Sequence, residues 1–145
     1  MLYVAADHAG FALKEKIKAY LVKKRIPLRD LGAQTFEKSD DYPMYAQRLA
    51  RQVAAEKGAL GVILCSTGTG MAIAANRVKG ARAVMCQTPE CATLAREHNN
   101  ANIVTFGPLT VSESQAKRVV DAFLKAQFDR AARRVRRVKQ LDTLR

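Results

Sequence analysis

Residues 60–77 read LGVILCSTGTGMAIAANR. Five apolar residues in a row are followed at once by a thiol, three hydroxyls and two glycines, and then by a helical stretch from Met71. A strand apolar at every position, rather than at alternate ones, is covered on both faces, as strands of parallel sheets are. The small residues behind it let backbone N–H groups crowd together at a helix start, where they bind anions and stabilise negative charge on oxygen. This strand, turn and helix sets the pattern for the rest of the chain.

Upstream, the apolar run at 1–6 ends in Asp7-His8-Ala9-Gly10, and apolar residues then recur at 11, 13, 17, 20 and 21 with lysines between them. That is a strand followed by an amphipathic helix. A second short strand is expected at 26–31, closed by Gly32. A polar loop over 34–41 leads to Tyr42-Pro43 and a helix through Tyr45, Leu49 and Val53, ended by Gly58. Downstream, 81–85 predicts a fourth strand, 89–97 a helix with proline near its start, and 103–106 a fifth strand. A long helix begins at Ser112, and a basic helical stretch covers about 130–144. Strands alternating with helices imply right-handed crossovers and a three-layer α/β/α sandwich on a five-stranded parallel sheet, with strand order 2-1-3-4-5. The 145 residues suit a single domain, 1–145. In that order ligands bind outside the C-terminal ends of strands 1 and 3, which nominates two loops, Asp7-His8 and Cys65 to Gly70.

With 48% hydrophobic and 26% charged residues, the composition is that of a globular chain, neither disordered nor membrane-spanning, and no apolar run approaches the roughly 18 residues a bilayer needs. The first residues carry no basic segment and no small-residue cleavage site, so a cytoplasmic location is expected. Three cysteines, Cys65, Cys86 and Cys91, lack disulfide-framework spacing, and with only His8 and His98 to join them no metal-ligand pattern is formed. No metal is therefore expected, and Cys86 and Cys91 are expected to serve packing. The net charge of +12 is concentrated at 117–145, where ten basic residues face three acids. No aromatic ladder accompanies them, which argues against nucleic acid as a partner and for a solvated helical face that gathers anionic small molecules.

The Cys65–Gly70 loop is not a nucleotide cradle: Ile73 stands where G-x-G-x-x-G needs its third glycine, no Gly-Lys-Ser/Thr follows, and strand 4 ends at Cys86-Gln87 without a ribose-binding acid. A nucleotide cofactor is not expected. A cysteine elsewhere would be a small buried hydrophobe, but Cys65 stands beside a cluster of N–H groups that favours its thiolate form. Asp7 is suited to capping the first helix or to accepting from sugar hydroxyls, and His8 to donating to an oxygen or a phosphate. Turn chemistry accounts for the asparagines of Arg96-Glu97-His98-Asn99-Asn100-Ala101-Asn102, but not for a histidine there, which makes His98 a further candidate.

Asp7-His8, Asp41-Tyr42-Pro43, Cys65-x-Thr67-Gly68-x-Gly70 with Ala74-Ala75-Asn76, His98-Asn99 through Asn102, and Phe106-Gly107 together resemble the type B ribose-5-phosphate isomerase family, which includes isomerases of allose and galactose phosphates. The resemblance implies a Rossmann-like α/β/α fold and an aldose–ketose isomerase that passes through a cis-enediol without metal or nucleotide cofactor. It also implies homodimers, often paired into tetramers, with each active site built between subunits and the C-terminal helix, about 128–145, against a partner. The residue matching Cys65 is the base that moves a proton between C2 and C1. Another branch uses a glutamate where this chain has Met71. Ser66, Thr67, Gly68, Thr69 and Gly70 match the anion hole, His98 the acid/base that opens the sugar ring, Asn99 its neighbour on the sugar, Asp7 and Tyr42 hydroxyl contacts, and His8 a phosphate contact.

Three places depart from the family pattern. Ser66 replaces a glycine. Leu109 stands where many members carry an arginine. The family's C-terminal Gly-Gly-Arg-His-x-x-Arg-Val becomes RAARRVRRV at 130–138, so that Arg133 and Arg137 match its phosphate-binding pair with one inserted residue, and Arg136 takes the second place without it. Arg133 and Arg137, four apart, share a helical face. Two other readings keep the same residues: an allose or galactose 6-phosphate isomerase, and a non-catalytic sugar-phosphate or nucleic-acid binder. A binder tolerates Cys65→Ala with its affinity intact.

Overall fold

The computed structural model describes residues 1–144; Arg145, the last residue of the expected domain and of its basic segment, lies outside the described residues. Five strands form one sheet: β1 (Leu2–Ala6), β2 (Leu28–Asp30), β3 (Leu60–Leu64), β4 (Ala83–Met85) and β5 (Ile103–Phe106). Six helices accompany them: α1 (His8–Lys23), α2 (Tyr42–Ala55), α3 (Thr69–Ala75), α4 (Pro89–Asn99), α5 (Glu113–Lys125) and α6 (Ala132–Thr143). Every strand pairing is parallel, with Val4 beside Val62 and Val62 beside Val104 across the centre.

The sandwich is the expected one, but the order of its last two strands is not. The sheet runs β2-β1-β3-β5-β4, so β5 lies inside and β4 at the edge, in place of 2-1-3-4-5. Burial explains the exchange. All four residues of β5 are buried, as an inner strand requires, whereas β4 has three residues, two of them half-exposed. Short strands of that kind belong at edges.

Alternate residues of the inner strands feed two apolar layers. Leu2, Val4, Val62, Leu64, Val104 and Phe106 pack under α1, α4 and α5. Tyr3, Ala5, Ile63, Cys65 and Ile103 pack under α2 and α3. The Cys65 side chain therefore points to the α2–α3 side of the sheet. α6 differs from the other helices, because Val138 is its single buried residue. No helix of the described residues is long and apolar enough to cross a membrane.

Candidate active site

The site starts where β3 ends. The Cys65 N–H donates to Phe106 O, and beyond that bond the chain turns sharply through Ser66 and Thr67 into α3. Gly68 makes the turn possible: its φ is +92°, and a Cβ there would stand 2.6 Å from the Phe106 backbone. The β5–α5 connection braces the loop from behind. The Leu109 N–H donates to Ser66 O, the Thr110 hydroxyl to Thr67 O, and the buried Thr105 hydroxyl to Gly68 O at 2.8 Å.

Cys65 is 5% exposed, and its Sγ accepts a hydrogen bond from the Gly68 N–H at 3.1 Å. The Thr69 N–H is taken by Thr67 Oγ1, and the Thr69 hydroxyl donates to Met85 Sδ. The N–H groups of Ser66, Thr67 and Gly70 have no acceptor among the described residues. Of the loop's five N–H groups these three are therefore unpaired among the described residues. Tyr42, the first residue of α2, lays its ring on Gly70, where a Cβ would meet Tyr42 Cζ at 2.7 Å.

The end of β1 completes this side. Asp7 is buried, caps α1 by accepting from the Gly10 N–H at 3.0 Å, and ties to β3 through its own N–H and Leu64 O. Burial pushes its carboxyl above the usual carboxylate range, against the pull of the Gly10 N–H. His8 follows at the first position of α1. Its Nδ1 lies 2.6 Å from Asp40 Oδ1, a bond that holds the imidazole above its ordinary pKa. Asp7, His8 and Asp40 bring their polar atoms within 4.8 Å of one another, a spacing a metal ion would accept, but His8 and Asp40 are already committed to each other.

His98, Asn99, Arg133 and Arg137 are not part of this cluster. α4 leaves the C-terminal end of the sheet after β4 and runs back, so its last turn, with His98 and Asn99, lies at the other end. Asn102 marks that end, since its carbonyl accepts from Gly61, four residues before Cys65 and about 13 Å away at ~3.3 Å per residue. Two of the asparagines are structural. Asn100 is the left-handed cap of α4, and Asn102 pins Gly80 and Arg82. Asn76, quoted among the family-like residues, is a pin as well, exchanging two hydrogen bonds with the Ala83 backbone. His98 and Asn99 are left with no such task among the described residues. α6 packs on α4, its approach fixed by the Asp129 N–H on Glu97 O, and places Arg133 and Arg137 on an exposed surface. Sequence reasoning missed Asp40, Thr105 and Thr110. Only Thr105, a hydroxyl inside an apolar strand, left a signal.

A thiol and three unpaired N–H groups at the C-terminal ends of parallel strands stand where the strand order reverses, the place at which open α/β sheets bind small polar ligands. Comparison with known proteins supplies the family. A model of the Ribose/Galactose Isomerase family matches residues 2–141. Ribose-5-phosphate isomerase B of Escherichia coli K12 is 43% identical over 123 residues, covering 85% of this chain and 82% of that protein. The crystal structure of a Thermotoga maritima ribose 5-phosphate isomerase superposes with a TM-score of 0.93 at 43% identity, over 99% of this chain and 97% of that one. Ribose-5-phosphate isomerase B of Mycoplasma genitalium, solved with ribulose-5-phosphate bound, gives 0.92 at 37% identity, over 97% and 93%. The chain belongs to the ribose/galactose isomerase family and is an aldose–ketose isomerase.

Proposed function

We propose that the protein interconverts ribose 5-phosphate and ribulose 5-phosphate without a cofactor, with Cys65 as the base. The observation that carries this reading is the Gly68 N–H on Cys65 Sγ beside three free N–H groups, in a fold shared with a relative that binds ribulose-5-phosphate. The Cys65 thiolate removes the C2 proton of the open-chain aldose. Negative charge moves to O1, where the N–H groups of Ser66, Thr67 and Gly70 stabilise it; a proton passes from O2 to O1 through the cis-enediol, and as the C2 carbonyl forms the Cys65 thiol gives its proton to C1 and is again the thiolate. Asp7 and Tyr42 hold hydroxyls, and His8 meets the phosphate.

His98 opens the furanose ring, and because it lies at the far end of its own protomer it acts in the site of a partner subunit. Asn99, Arg133 and Arg137 accompany it. The exposed face of α6 supports such a dimer: a groove of about 520 Å³ runs along Ala132, Val135, Arg136 and Lys139, and the helix buries only Val138 against its own protomer. The expected location is cytoplasmic.

The test is ketose formation from ribose 5-phosphate by the purified protein in the presence of a chelator, with Cys65→Ala and His98→Ala alongside and with allose and galactose 6-phosphates as competing substrates. Turnover lost in Cys65→Ala, and less impaired in His98→Ala on open-chain substrate, supports the assignment. A folded wild type idle on ribose 5-phosphate refutes it.

A further inference from the structure

The loop after β2 ends on two acids, Asp40 and Asp41. Asp41 stands at the cap position of α2, whereas Asp40 turns inward, and only 4% of its side chain is exposed. One oxygen, Oδ1, accepts twice from the same residue, from the His8 N–H at 3.0 Å and from His8 Nδ1 at 2.6 Å. The other, Oδ2, is buried, and the Tyr45 hydroxyl of α2 is the one further side-chain hydrogen-bonding group at the carboxylate among the described residues. A carboxylate so enclosed needs a cation beside it, and a protonated imidazole is the one it touches.

The position of His8 makes the same demand from the other side. As the first residue of α1 it sits at the positive end of a helix, where an imidazolium is disfavoured. The charged groups facing the ring are Asp7 at the end of β1 and Asp40 in the loop, and both favour the charged form. Around Asp40 the further titratable neighbours are Tyr45 of α2 and, beyond it, Arg48 and Glu37. Phe36 meets the imidazole edge-on, with ring centroids 6.4 Å apart, so the ring is held on two sides. With Nδ1 engaged, Nε2 is the nitrogen left to a ligand, and the His8 side chain is 36% exposed.

We infer that Asp40 is the positioning residue of His8: it fixes the ring through Nδ1, pairs with its protonated form, and leaves Nε2–H as the donor to the phosphate of the substrate. The inference rests on the reading that the substrate is a sugar phosphate. Asp40 touches no reacting atom and acts through His8 alone, in the manner of the carboxylates that orient imidazoles in other sites.

Inorganic phosphate is the probe that separates this inference from the reading beneath it. The His8 ring nitrogens, followed by NMR, are expected to titrate above the ordinary imidazole value and to shift on phosphate addition. In Asp40→Asn the ring loses its proton at lower pH, and phosphate binds about five- to twentyfold more weakly. With ribose 5-phosphate, Asp40→Asn raises KM by a similar factor with a much smaller change in kcat, and the alkaline limb of 1/KM moves to lower pH. In a His8→Ala background, Asp40→Ala adds less than about twofold, because its partner is already gone. The inference is overturned if Asp40→Ala weakens phosphate equally with and without His8, if the limb stays in place, or if His8→Ala leaves phosphate binding unchanged. A wild type that shifts its His8 signals with phosphate yet turns over no sugar phosphate sinks the isomerase reading and leaves the Asp40–His8 relation standing.

Discussion

Cys65 and His98 stand at opposite ends of one sheet, the first where β3 finishes and the second in the last turn of the helix that runs back beside it. A parallel sheet with antiparallel helices allows no other arrangement, so a reaction that uses both groups needs two chains. Subunit mixing tests this directly. Cys65→Ala and His98→Ala proteins, each deficient alone, are expected to regain about a quarter of wild-type turnover after unfolding and refolding together, since half the dimers are mixed and each mixed dimer holds one intact site. Activity that stays at the level of the separate variants places the whole site within one protomer and removes the dimer argument.

The thiol is predicted to matter as a base and not as a shape. Cys65→Ser keeps an acceptor for the Gly68 N–H and nearly the same volume, yet a hydroxyl holds its proton at neutral pH. Both Cys65→Ser and Cys65→Ala should lose about 10²- to 10⁴-fold in kcat, with melting temperatures close to wild type. A serine variant within tenfold of wild type would show that another group moves the proton.

Gly68 and Gly70, two residues apart, are predicted to fail differently. Alanine at position 68 meets both a left-handed φ and the Phe106 backbone, neither of which can yield, so stability should fall by about 1–3 kcal/mol and activity with it. Alanine at position 70 meets the Tyr42 ring first, and that ring is exposed enough to swing away. Its melting temperature should hold while KM rises severalfold. Thermal melts and steady-state kinetics on the two variants separate the cases, and equal destabilisation would contradict the assignment of Tyr42 to the sugar.

Much of this site was legible before any fold was known, and the reason is locality. A strand, a turn and a helix start within residues 60–77 dictate where Cys65 sits, and the capping role of Asp7 follows from three residues of spacing. The exchange of β4 and β5 was not legible from the alternation of elements, because pairing is a contact between distant segments, although the fully buried β5 beside the half-exposed β4 carries its cause. Asp40 was hidden for the same reason: its partner lies 32 residues away, and a doubled acid before Tyr-Pro looks like helix capping. The asparagines around His98 gave the opposite lesson. Asn100 and Asn102 are spent on the backbone, and it is the residues without such work that remain for a substrate.

The His8–Asp40 pair predicts a stability profile. The His8 pKa is raised, chiefly by its bond to Asp40, so its contribution is complete below its ordinary value of 6.5 and is lost as pH rises through the raised one. Burial works to raise the Asp40 carboxyl, but the bonds from His8, with that from the Tyr45 hydroxyl, outweigh it, and its pKa ends below the ordinary 3.8. That contribution is complete above the ordinary value and is lost as pH falls through the lowered one. The pair therefore fastens the 34–41 loop most firmly between about pH 4 and 6.5. Melts across pH should show Asp40→Asn losing most in this window and less at alkaline pH, where the part that depends on the charged imidazole is gone. Parallel profiles over the whole range would mean that the pair adds nothing to stability.

Leu109 offers a gain-of-function test of the anion site. Its N–H holds Ser66 O while its side chain is 78% exposed, so it stands against the loop that carries Cys65 yet packs on little. Many family members are expected to have an arginine here. Leu109→Arg adds a planar cationic donor beside the N–H groups of Ser66 and Thr67 at little structural cost, since an exposed leucine contributes little to the core. KM for ribose 5-phosphate should fall about three- to tenfold at low ionic strength, with the gain shrinking as salt is added, because an exposed charge is screened over roughly 8–10 Å under physiological conditions. Inhibition by inorganic phosphate should strengthen in parallel. A KM that does not move, or a gain insensitive to salt, would mean that the phosphate lies beyond the reach of position 109.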